Sequence, residues 1–106
     1  MKDHYPCEKF SAAVSSLAVS PKSLQERIAN AFAGNLHLLL DHPALAPDTA
    51  RRLKDYGAAW DAVTDSRGKG TIYVWAMQLS DDEATEIARW IVDTAWQLHR
   101  QLWTDE

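Results

Sequence analysis

The sequence predicts an all-α fold: a compact bundle of four to five helices, the longest of them C-terminal. Three observations predict it. Apolar residues recur at i, i+3 and i+4 along most of the chain, the repeat of a helix that buries one face. Only four glycines and four prolines interrupt 106 residues, which favours long regular elements over loops. Only one run is rich in β-formers, and it has no evident partner strand. The length fits a single domain over residues 1–106, and 46% apolar with 25% charged residues is the composition of a globular protein.

Residues 1–9 read as an irregular lead-in, because Pro6 is surrounded by charges. Phe10, Ala13, Val14 and Leu17 then fall at helical spacing and predict a short first helix over 9–19, weakened by its serines. Ser20 is placed to cap a second helix and Pro21 to open it, so this helix is expected over about 21–40. Its stripe is Leu24, Ile28, Ala31, Asn35, Leu38 and Leu39. Gly34-Asn35 is its weak point, either a C-cap followed by a second short helix or a tolerated dent. Asn35 is either a buried amide that fixes register or partner choice, or a fray point beside the glycine.

"DHPALAP" (41–47) is a linker whose last proline opens the third helix, and Asp48 suits the positive end of that helix. Ala50, Leu53, Tyr56, Gly57, Trp60 and Val63 form its stripe, and it should end near Asp65. "DSRGKG" (65–70) is a loop. The run "TIYVWAMQL" (71–79) is ambiguous. A lone strand would leave its backbone unpaired, so a short buried helix using Ile72, Trp75, Ala76 and Leu79 is the preferred reading, with a hairpin or an intermolecular strand pair as the alternative. Ser80 and Glu83 form a capping box that opens the last helix, expected over 81–103.

That last helix carries Trp90, Trp96 and Trp103. With Ile91 at the centre of its apolar face and 100° per residue, Ala84, Ile87, Ala88, Ala95, Leu98 and Leu102 fall within about 60° of it. Their steps alternate four and three, the spacing of bundle packing. No tryptophan belongs to this seam. Val92, Trp96 and Trp103 lie on one flank and Trp90 on the other, each roughly 100–140° from the centre. The helix is apolar over more than one stripe. Either other helices of the same chain cover both flanks, or Trp90, Val92, Trp96 and Trp103 include an interface with another chain, a second copy or a different protein. An aromatic-walled ligand pocket is a third, minor option.

Chemistry is sparsely signalled. His4 with Cys7 and His37 with His42 lack the tight paired spacing of zinc sites, so no metal is expected. Cys7 in a lead-in would have nothing to hold a nucleophile's geometry, and Ser11, Ser15 and Ser16 sit in a helix without an elbow motif. The acidic cluster at Asp81, Asp82, Glu83 and Glu86 is explained by the helix N-terminus. "SRGKG" lacks the phosphate-loop spacing. No cofactor is expected. A net charge of −4 disfavours nonspecific nucleic-acid binding. The alternative of a DNA-binding regulator rests on the basic face of the middle helix, Arg51, Arg52 and Lys54. A single cysteine and a polar N-terminus suit a cytoplasmic protein, and no stretch reaches the length of a membrane span. The first expectation is therefore a small non-enzymatic interaction or regulatory protein: a subunit, an adaptor, or an immunity- or antitoxin-like blocker.

Overall fold

A computed structural model describes residues 3–65, 68 and 70–104. They form five helices: α1 (Tyr5–Val19), α2 (Leu24–Gly34), α3 (Pro47–Asp61), α4 (Thr71–Met77) and α5 (Asp81–Thr104), with a 3₁₀ turn at Leu36–Leu39. The all-α expectation holds, and α5 is the longest element. The bundle is centred on α2, which packs against α1, α4 and α5, while α3 lies against α4.

The irregular lead-in is corrected. Helix α1 begins at Tyr5, with Pro6 in the first turn, where the missing N–H has no partner to lose. The Tyr5 backbone N–H donates to Asp3 Oδ1 at 2.9 Å. Pro6, Cys7 and Phe10 are buried, so Cys7 is a packed core thiol on a rigid element. At the other end of α1, Arg27 donates to the Leu17 carbonyl at 2.7 Å, satisfying an acceptor of the last turn from a neighbouring helix.

Helix α2 begins later than expected. Ser23, not Ser20, is its N-cap: the Ser23 hydroxyl accepts from the Glu26 N–H at 3.2 Å, while Ser20 closes α1 in an extended conformation. The weak point resolves as a C-cap followed by a second short element, since α2 stops at Gly34 and Asn35 leads into the 3₁₀ turn. Tightening from 3.6 to 3.0 residues per turn rotates the faces. Leu36 and Leu39 are buried and Leu38 is 46% exposed, whereas one unbroken stripe would have buried Leu38. Asn35 is half-buried.

Helix α3 starts at Pro47 as expected and ends at Asp61, short of Asp65. Gly57 has a packing reason: a Cβ there would lie 3.3 Å from Leu40 Cδ2, so the bare backbone lets the residue after the 3₁₀ turn approach closely. The ambiguous run is helical, and Trp75 and Ala76 of α4 are buried.

Six aromatic rings tie the bundle together. Phe32 of α2 is fully buried and meets Tyr56, Trp60 and Trp75 edge-on at centroid distances of 5.5, 5.6 and 5.4 Å. Tyr56 meets Trp90 of α5 at 5.3 Å, and Trp90 meets Phe10 of α1 at 5.5 Å. One chain of edge-to-face contacts, the favoured geometry for aromatic pairs, thus touches all five helices.

The capping box forms as drawn from the sequence. Glu83 N–H donates to Ser80 Oγ at 3.1 Å and Ser80 N–H donates to Glu83 Oε1 at 2.9 Å. The hydrogen bond from the Ser80 backbone, reinforced by the Ser80 side chain, holds the Glu83 carboxyl below its ordinary value. Because the folded pKa is lowered, this contribution to stability is present above the ordinary glutamate range and is lost as pH falls through the folded value. Ser80→Ala should cost about 1 kcal/mol in urea unfolding, because it removes the hydroxyl that accepts from the Glu83 N–H, while the backbone bond to the Glu83 carboxylate and its loss in acid should persist.

Candidate functional site

Along the inner face of α5, Ala84, Ile87, Ile91 and Ala95 are buried, while Leu98 and Leu102 are half-buried. The expected seam is therefore the face that meets the rest of the chain, with its cover thinning towards the C-terminal turns. The two flanks then diverge. Trp90 is half-buried within its own chain against Phe10 and Tyr56, with the Arg52 guanidinium 5.4 Å over its ring. On the opposite flank Val92 is half-buried, but Trp96 is 65% and Trp103 80% exposed. No other ring of the described residues stacks on either indole.

The two indoles border an open groove of about 590 Å³ between α1 and α5. Val14 of α1 and Val92 and Ala95 of α5 supply its apolar lining, and Ser11, His99 and Arg100 its polar part. Small side chains of α1, Ser11 and Val14, face the larger ones of α5 across it. A fully buried Trp removes about 150–250 Å² from water, so these two leave roughly 300 Å² exposed, or on the order of 7 kcal/mol of unrealised transfer free energy. Apolar surface concentrated in this way marks a binding site more often than scattered exposed residues do.

Sequence reasoning missed the pairing of Ser11 with His99. Ser11 Oγ and His99 Nε2 lie 3.1 Å apart across the groove, joining residues 88 positions apart. Nothing local in the sequence signals it, because only packing of α1 on α5 brings the two together. Among the described residues no further part of a hydrolytic site lies beside the pair. Ser11 sits inside α1, where helix hydrogen bonds consume the neighbouring amides that would form an oxyanion hole, and among the described residues no carboxylate orients the imidazole. Its geometry is that of a polar tie between two helices.

The basic residues of α3 are engaged. Arg51 lies 3.8 Å from Asp48, Lys54 3.7 Å from Asp41 and Arg52 3.7 Å from Glu86. Arg52 also donates to Tyr56 Oη at 2.8 Å and caps the aromatic chain at Tyr56 and Trp90. It is a packing residue. Arg52→Ala should lower stability by about 1–2 kcal/mol through lost stacking and a lost hydrogen bond, and a thermal melt should show it. A salt-dependent duplex shift that vanished in this variant without any change in the melt would favour the nucleic-acid alternative.

Two of the histidines weighed as metal ligands, His37 and His42, have other partners. His42 stacks on Tyr5, accepts from the Ala44 N–H at 3.1 Å and faces Asp3 at 3.4 Å; His37 Nδ1 lies 3.0 Å from the Phe32 carbonyl oxygen. Among the described residues no three such ligands converge, and no helix is long and apolar enough to cross a membrane. A second cleft, of about 430 Å³, lies over Trp90 between the start of α3 and α5, and its Asp48, Glu86 and Asp93 are interleaved with Arg52 and Arg89. Compared with models of protein families, with curated proteins and with solved structures, the chain shows no match.

Proposed function

We propose that this chain is a small non-enzymatic interaction and regulatory protein that receives a helix of another protein chain in its α1–α5 groove. The observation that carries the reading is the exposure of Trp96 and Trp103 beside an apolar groove, while Trp60, Trp75 and Trp90 are packed into the aromatic chain. A helix with anchors at i, i+3 or i+4 and i+7 matches such a groove, and tryptophan is the side chain most enriched where binding energy concentrates. Placement in the cytoplasm is part of the proposal, supported by a lone, unpaired, buried cysteine that suits a reducing compartment.

Site-specific photocrosslinking in living cells tests the reading. A photoreactive benzoylphenylalanine replaces Trp103 or, as a control, the exposed Gln78 at the end of α4. A discrete protein adduct at position 103 and none at 78 is expected. Equal, diffuse labelling at both positions would end the proposal.

A further inference from the structure

We infer that the cleft between the start of α3 and α5, on the flank of α5 opposite the α1–α5 groove, binds a small neutral polyhydroxyl compound, a sugar of monosaccharide size. The inference does not depend on the docking reading, because among the described residues the cleft and the groove share no lining side chain.

The observation that points to a ligand is the state of Thr94. It is the most buried residue of the lining, at 4% exposed. A threonine inside a helix commonly donates to the carbonyl four residues back, as Thr85 of the same helix does to Asp81 at 2.8 Å. Thr94 makes no such bond to Trp90, and its hydroxyl has no hydrogen-bond partner among the described residues. A sealed hydroxyl in that state would be strongly unfavourable. Among the described residues no sealed side-chain oxygen or nitrogen lacks a partner, so the Thr94 oxygen opens into the cleft. It is both a donor and an acceptor, fixed on the longest helix and turned towards the space above it.

The lining sets the chemical class. A net anion would meet Asp48, Glu86 and Asp93, and a net cation would meet Arg52 and Arg89. At the floor Thr94 offers a charged ligand no countercharge, and a charge taken out of water needs one. A ligand hydroxyl both donates and accepts, so several of them can use the carboxylates and the guanidiniums alike and still satisfy Thr94. Gln97 adds an amide with both functions at the exposed rim. The half-buried Trp90 indole supplies an apolar wall for the C–H face of a sugar ring. A volume of about 430 Å³ with one apolar wall and a few convergent polar groups is the usual form of a small-molecule site.

Heteronuclear NMR of the isotope-labelled full chain, titrated with D-glucose, D-galactose, N-acetylglucosamine and D-ribose, is the test. At least one sugar should shift the Trp90 indole and Gln97 amide signals saturably, with a millimolar dissociation constant, and leave the Trp103 indole in place. Thr94→Val keeps the shape and removes the hydroxyl. It should weaken that binding roughly fivefold, the worth of one hydrogen bond, without lowering the melting temperature. Gln97→Ala, at an exposed position, repeats the comparison without touching the core and should also weaken binding several-fold. L-Glutamate and putrescine, a net anion and a cation, should leave the cleft signals unmoved. Sugars that shift no cleft signal saturably, a charged probe that binds more tightly than they do, or a sugar affinity unchanged in either variant would each overturn the assignment.

Discussion

Phe32→Ala is expected to destabilise the chain by about 3–5 kcal/mol, the range for deleting a buried ring and leaving its cavity. Phe32 is fully buried and touches Tyr56, Trp60 and Trp75 together. Its loss therefore removes the joint between α2, α3 and α4. A domain of this size has total stability of roughly 5–15 kcal/mol, so the loss is a large share of the whole. At roughly 4–8 °C per kcal/mol, the melting temperature should fall by about 12–40 °C. Phe32→Leu, which refills much of the space, should fall by much less. Calorimetry checks both, and a loss below about 1 kcal/mol for the alanine variant would show that Phe32 is not the hub of the core.

Trp96→Ala and Trp103→Ala should behave oppositely. Both side chains are mostly exposed, so each substitution should change stability by no more than about 0.5 kcal/mol. Association is where they should register. Truncating an anchor at the centre of an interface costs about 2 kcal/mol or more, which is roughly 30-fold in the dissociation constant. Trp60→Ala is the contrasting control, because Trp60 is buried and its loss should act on the melt. The signature of a docking ridge is this separation: binding lost with folding kept at 96 and 103, folding lost at 60. Should Trp96→Ala lower the melting temperature as Trp60→Ala does, the ridge would be part of the chain's own core.

The sequence foretold the parts of the fold that local chemistry decides. The capping box at Ser80 and Glu83 marks the start of α5 within a residue, and Pro47 marks the start of α3, because both act through groups one turn away. The end of α2 was harder. Periodicity alone carries a stripe through Gly34 to Leu39, and only the change to 3₁₀ geometry turns Leu38 outward and Leu36 inward. Pro6 was misread for a related reason. A proline among charges breaks a helix interior but is harmless in a first turn, and which applies depends on whether Cys7 and Phe10 find a core.

The site was half legible. Counting by 100° shows that the tryptophans of α5 lie off its seam, but Trp90 and Trp96 sit at comparable angles on opposite flanks. Which flank is covered depends on where Phe10 and Tyr56 arrive, a fact of tertiary packing. The same limit hid the Ser11–His99 contact and the engagement of Arg52 with Tyr56 and Trp90.

Hydroxyl-radical footprinting of the indoles, in intact cells and on dilute purified chain, asks directly whether something covers the α5 ridge. In dilute solution Trp96 and Trp103 should oxidise readily while Trp60 and Trp75 resist, in line with their exposure. In cells, Trp96 and Trp103 should become protected by several-fold relative to a free tryptophan standard. Equal oxidation of both ridge indoles in the two conditions would mean that no chain occupies the groove, and the docking role assigned to α1 and α5 would be wrong.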